Sequence, residues 1–164
     1  MKLCLIYNFA PHYRTSIFRK IDEAYDCDWY FGDNKTDIKP MDLSLLRKAK
    51  KVQNISLFGN FYYQKGIPSL AFREEYNTYF ILGEPFCVSS WLLFILLKLF
   101  RPKCKRYMWS HGWYGRETKS RCIIKKLFFK LADGVFLYGN WAKQLMVKEG
   151  FDANRLYVIH NSLD

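Results

Sequence analysis

The sequence predicts a doubly wound, mostly parallel α/β sheet in a single Rossmann-like domain, and three observations carry that expectation. Short, mostly apolar runs recur at residues 3–7, 78–82, 107–110, 135–138 and 156–159, as in strands buried on both faces. Helix-patterned segments with apolar residues at i, i+3 and i+4 separate most of them. The 164 residues suit one domain with a substantial core. Strand–helix alternation of this kind leads to a parallel sheet with right-handed crossovers.

The opening run at 3–7 is a strand, and the turn over 8–12 contains Pro11. From Tyr13, the residues Ile17, Phe18, Ile21, Ala24 and Tyr25 mark a helix face. A second strand spans 27–31 and closes at Gly32-Asp33-Asn34. Residues 35–51 are polar, with one helical turn around 43–46, and 52–58 reads as a further strand. A loop with Phe61, Tyr62 and Tyr63 precedes a short helix at 67–75, whose Pro68 suits a first turn. After the strand at 78–82, Gly83-Glu84-Pro85 leads into an apolar helix over 88–100 that Pro102 stops. The strand at 107–110 runs into His111-Gly112, and a basic helix covers 119–131. A strand at 135–138 follows, then a helix over 141–149 that Asn140 can cap and Gly150 can end, then a strand at 156–159.

Half of the residues are apolar and 19% aromatic, which excludes a disordered chain. The net charge is +11, and residues 86–130 hold eleven Lys and Arg against one acid, Glu117. Such a block suits a polyanionic partner: nucleic acid, an anionic bilayer or a phosphorylated substrate. Five widely spaced cysteines without a C-x-x-C point to neither a disulfide framework nor a zinc site, and fit a reducing compartment. The first residues are too short an apolar stretch for a signal peptide. The longest uncharged apolar run, 86–97, falls below the ~20 residues that span a bilayer. These features place the chain in the cytoplasm, soluble or peripheral on the inner face of the membrane.

Neither G-x-G-x-x-G, G-x-x-x-x-G-K-S/T, H-E-x-x-H nor G-x-S-x-G occurs, so position carries the functional argument. Loops at 8–14, 83–87, 111–116 and 139–141 follow strands, and a parallel sheet gathers them on one rim. That rim offers His12, Arg14, Glu84, His111 and Arg116, beside helix N-termini that suit phosphate or sugar hydroxyls. His111, at a strand's carboxyl end, is the candidate catalytic residue, against the plainer role of a hydrogen-bonded structural histidine. Arg14 and Arg116 compete with a role as solvated charges. Glu84 competes with simple complementation of the following helix's N-terminus. On the helix over 119–131, Ile123, Ile124, Leu127, Phe128 and Leu131 form one stripe, and Phe129 falls opposite, between Lys125 and Lys126. An aromatic ring among lysines off the core stripe is the pattern of an interfacial membrane contact, and assigns Lys125, Lys126 and Phe129 to that role. Cover by another domain would give the same pattern.

Residues 132–143, Ala-Asp-Gly-Val-Phe-Leu-Tyr-Gly-Asn-Trp-Ala-Lys, with Leu145, Gly150-Phe151 and Leu-Tyr-Val-Ile-His-Asn-Ser-Leu-Asp at 156–164, form the most characteristic stretch. It resembles the end of the N-terminal domain of GT-B-fold glycosyltransferases, closest to the sugar-nucleotide transferases of family four. Ser110-His111-Gly112 and Pro11-His12-Tyr13-Arg14 fit the same pattern. The resemblance implies an acceptor-binding domain over 1–160, an interdomain linker beginning at 161–164, and a second, nucleotide-sugar-binding domain that this sequence does not contain. It implies that His111 reaches toward the donor sugar and that Arg14 and Glu84 face the acceptor, a glycan or lipid-linked molecule of cell-surface polysaccharide synthesis. It implies no cofactor and no metal, and no catalysis by this half alone. A sugar-nucleotide epimerase half would share the fold. The alternative class is a non-catalytic basic module for nucleic acid or anionic membrane. Nucleic acid is the weaker of those two, because the aromatics lie in core patterns and no reader motif is present.

Overall fold

The computed structural model describes residues 2–34 and 36–160. In chain order the elements are β1 (Lys2–Tyr7), α1 (Thr15–Ala24), β2 (Asp26–Phe31), β3 (Ala49–Lys51), β4 (Asn54–Ser56), β5 (Tyr62–Gln64), β6 (Thr78–Leu82), α2 (Val88–Phe100), β7 (Lys105–Ser110), α3 (Lys119–Phe129), β8 (Gly134–Leu137), α4 (Asn140–Lys148) and β9 (Leu156–Val158). Seven of the strands form one sheet in the order β3-β2-β1-β6-β7-β8-β9. Every pairing in it is parallel. β4 and β5 make a separate antiparallel hairpin.

The order explains where a ligand can sit. The chain starts in the middle at β1, builds outward through β2 and β3, then returns to lay β6 on the other side of β1. Connections leave β1 and β6 in opposite directions, and the gap between them at the strands' carboxyl ends is the crevice that open α/β sheets use.

Both faces carry a core. α2, α3 and α4 pack one face, around Tyr79, Ile81, Leu93, Phe94, Met108, Phe128, Phe129 and Leu137. α1 and the segment around Met41 and Leu46 cover the β1–β3 half of the other, around Phe18, Trp29, Phe31 and Trp109. Farther along that face Phe80, Tyr107, Phe136 and Tyr157 run from strand to strand with neighbouring rings 4.9–5.7 Å apart. Arg106, in the middle of the sheet, is buried and paired with Asp133 at 2.7 Å. That pairing is what lets an arginine sit in a strand.

Several sequence expectations shift. Of the strand expected at 52–58 only β4, Asn54–Ser56, forms, and it pairs with β5 outside the main sheet; β3, Ala49–Lys51, lies in the stretch read as polar and pairs with β2. The helix expected at 67–75 is a single 3-10 stretch, Pro68–Phe72, closed by a turn at Arg73. On α3 the buried face is Cys122, Lys125, Phe128 and Phe129, rotated from the apolar stripe; Ile123 and Leu127 point outward, 59% and 56% exposed. The linker expected at 161–164 lies outside the described residues.

Candidate functional site

Four segments meet at the carboxyl ends of β1, β6, β7 and β8 around an open cavity of about 360 Å³. Arg14, Glu84 and His111, each from a different loop, share it, as the rim argument expected. Tyr7, Lys125 and Tyr138, none of them expected there as ligand-facing residues, line it too.

Ser110 holds the loop ends in place. Its hydroxyl donates to the Gly83 carbonyl at 2.9 Å and accepts the Gly112 N–H at 3.0 Å, so one side chain ties the β6 exit to the β7 exit. Gly112 turns the chain with φ +69°, a left-handed value that a side chain resists, and a Cβ there would stand 2.8 Å from Leu137 Cδ2. The chain thus leaves His111 exposed at the rim, its ring 6.1 Å from Tyr114 and 4.5 Å from Tyr138. Partial burial between these rings, and then the cations of Arg14 and Lys125, lower its pKa. The imidazole is therefore neutral near pH 7, the form that can take a proton.

Arg14 is 4% exposed, its guanidinium 4.9 Å from the Tyr138 ring and 5.1 Å from Trp109. Stacking on aromatic faces is a setting that suits a guanidinium better than an ammonium. Tyr7 and Tyr138 bring their hydroxyls within 3.4 Å of each other beside it. Burial raises both phenols' pKa values, so both remain hydroxyls that can donate to a ligand. Across the cavity, Tyr62 donates to Glu84 Oε2 at 2.8 Å. Burial raises the Glu84 carboxyl's pKa although that hydrogen bond opposes it. The carboxylate thus has a fixed partner in the β5 hairpin, beyond any complement to the start of α2.

Of Lys125, Lys126 and Phe129, the pattern read as a membrane contact, Phe129 and Lys125 do not stand at the surface as that reading required. Phe129 is 2% exposed and packs on Trp113 and Phe151. Lys126 Nζ lies 2.7 Å from Glu149 on the α4 side. Lys125 Nζ donates to Glu117 Oε1 at 2.7 Å and to the Gly112 carbonyl at 2.8 Å, with the Trp113 and Tyr114 rings 5.2 and 4.9 Å away. Lys125 lies on the inner side of α3 beside Phe128, which the apolar stripe did place in the core. Its ammonium finds an acid, a carbonyl and two rings inside the loop, and the helix turns to deliver it. Burial would raise the Glu117 carboxyl, but Lys125 and backbone N–H groups, Tyr114's among them, overcome that and hold it at about 2.

His12 and Arg116 are also corrected. His12 is exposed outside the cavity, its Nδ1 3.0 Å from the Lys39 carbonyl, because the 3-10 turn at His12–Arg14, with three residues per turn, points His12 and Arg14 about 120° apart. Arg116 lines an adjoining hollow of about 370 Å³ with Arg121, Phe86 and Glu117. Gly115, at φ +83°, carries the chain out of the first cavity before Arg116 is reached. Among the described residues no cluster of three or more His, Cys, Asp or Glu could hold a metal ion.

No protein-family model matches the sequence, and neither does any curated protein. Solved structures do match. The chain superposes on the lipopolysaccharide outer core galactosyltransferase WaaB in its apo form with TM-score 0.60 at 14% identity, covering 98% of this chain and 46% of that one. It superposes on Anabaena HepE in complex with UDP with TM-score 0.66 at 12% identity, covering 98% and 44%. It superposes on UDP-GlcNAc 2-epimerase from Methanocaldococcus jannaschii with TM-score 0.61 at 16% identity, covering 98% and 46%. The chain spans about half the length of each. At such identities the likeness is one of fold: a Rossmann-like sheet that forms one half of a GT-B architecture.

Proposed function

We propose that this chain is the acceptor-side half of a glycosyltransferase, and that the cavity at the β1/β6 switch point takes the acceptor, a glycan or lipid-linked sugar. In this reading the donor, a nucleotide sugar, is presented by a second domain across the cavity, and the transfer serves cell-surface polysaccharide synthesis. One observation carries the reading. Arg14, Glu84 and His111 come from three separate loops and converge on one cavity, at the point where this topology gathers its loops.

The chemistry follows from the side chains. Sugar hydroxyls need paired donors and acceptors, which the Glu84 carboxylate and the Tyr7 and Tyr138 hydroxyls supply. His111, neutral at pH 7, accepts a proton from an attacking hydroxyl if transfer inverts, or steadies the sugar by hydrogen bonding if it retains. Arg14, held on aromatic rings, presents fixed positive charge to a phosphate or a developing negative charge without reorganising.

Saturation-transfer NMR with a panel of oligosaccharides, free sugars and uridine nucleotides tests the proposal. An oligosaccharide should receive saturation from the wild-type chain and lose it with Glu84→Gln and with His111→Ala, while UDP alone receives little. Binding of UDP in place of every saccharide, or saccharide binding unaffected by both substitutions, contradicts it.

A further inference from the structure

Among the described residues no helix is long and apolar enough to cross a membrane, yet the surface beside the cavity is unusual. On α2, Leu92, Ile95 and Leu99 are exposed and recur at i, i+3 and i+7, a single stripe opposite the buried Ser90, Leu93 and Leu97. On α3, Ile123 and Leu127 form the matching outward stripe. The two helices lie side by side, joined by the Trp91–Phe128 ring contact at 5.0 Å and by Lys98 Nζ reaching the Lys130 carbonyl at 3.0 Å. Five aliphatic side chains, Leu99 the most open at 69%, therefore share one face, with exposed Lys98, Lys119 and Lys130 among them.

We infer that this outer face of α2 and α3 docks the protein on an anionic lipid bilayer. Charge complementarity selects that occupant. The one acid in residues 86–130, Glu117, is turned inward to Lys125, so that segment opposes its own exposed lysines with no carboxylate. Aliphatic side chains at the centre of a cationic surface can enter the acyl boundary while lysine stems reach the headgroups. A second copy of the chain would set Lys98, Lys119 and Lys130 against themselves across a two-fold axis, which like charge opposes. Nucleic acid would gain the lysines but leave the leucines and isoleucines nothing to stack on. The inference stands on this surface alone and does not depend on the reaction. It does suit a lipid-linked acceptor, since α2 and α3 both begin at the rim and the Arg116–Arg121 hollow shares Pro85, Phe86, Tyr114 and Lys125 with the cavity.

Co-sedimentation with vesicles tests it. The wild-type chain should pellet with vesicles of phosphatidylcholine containing about one third phosphatidylglycerol, and not with phosphatidylcholine alone. Ile95→Ser with Leu99→Ser, Ile123→Ser and Leu127→Ser should lower partitioning by about tenfold or more, as should Lys98→Glu with Lys119→Glu and Lys130→Glu. The four aliphatic side chains, Lys119 and Lys130 are exposed, so the serine variant and Lys119→Glu with Lys130→Glu should unfold thermally like wild type. Lys98→Glu also gives up the hydrogen bond to the Lys130 carbonyl and should melt somewhat lower. Reversing Lys20, Lys39 and Lys51, exposed residues elsewhere in the sequence, changes net charge equally and should leave binding largely intact. Three outcomes overturn the inference: no wild-type binding to the anionic vesicles, equal binding by the serine variant, or equal loss in the control reversal. Self-association through this face, or oligonucleotide binding in place of vesicle binding, overturns it as well.

Discussion

Replacing Glu117 by Gln should show how firmly the His111 loop is held. The carboxylate accepts the Tyr114 and Gly115 N–H groups at 2.8 and 2.9 Å as well as Lys125, and its side chain is 5% exposed. Its pKa stands at about 2 in the folded chain against an ordinary value of 4.5. At about 1.4 kcal/mol per pH unit, that difference corresponds to about 3 kcal/mol of stability at neutral pH. The sign follows from the depressed value: the contribution is complete above pH 4.5 and is lost as pH falls from there toward 2. Urea unfolding of wild type and Glu117→Gln should thus differ by about 2–3 kcal/mol at pH 7, Gln retaining part of the N–H bonding. The gap should narrow steadily below pH 4.5. A gap that stays constant down to pH 2.5, or none at pH 7, would refute the claim that this ion pair anchors the loop.

Gly112→Ala should destabilise by about 1–3 kcal/mol, from its left-handed backbone and the approach to Leu137, and should shift the His111 resonances; wild-type melting would contradict this. Phe129→Ala should cost about 3–5 kcal/mol as a core truncation, and a loss under about 1 kcal/mol in chemical unfolding would return that ring to the surface. The His111 imidazole should titrate by NMR below 6.5, because the folded chain favours its neutral form; stability then falls as pH drops through 6.5, and less so in His111→Asn. A midpoint at or above 6.5 would contradict the crowding by Arg14 and Lys125.

The sheet was legible because parallel strands buried on both faces must be apolar throughout, so the runs at 3–7, 78–82 and 135–138 stand out within any context. The rim was legible for the same reason: strand ends follow from the strands. What period alone could not give was the face of α3. Lys125 belongs to the interior through partners eight and thirteen residues earlier, Glu117 and Gly112, and no local pattern announces a paired buried lysine. Tyr7 and Tyr138 were missed similarly, since a tyrosine ending an apolar strand reads as core until the neighbouring loop reveals an open side. One signal was present: Glu117 is the lone acid in a strongly basic stretch, and a lone acid there implies a partner. His12 shows the reverse error, a residue two positions from a cavity residue that the 3-10 turn sends elsewhere.

The central claim is that sugar binds where the loops of β1, β6 and β7 converge, and mapping amide chemical shifts during titration with a bound oligosaccharide tests it most directly. Changes should concentrate at residues 7–14, 83–86, 110–114, 125 and 138. Changes confined to the hollow between Phe31 and Leu43, or to the α2–α3 outer face, would place recognition elsewhere and remove the acceptor reading.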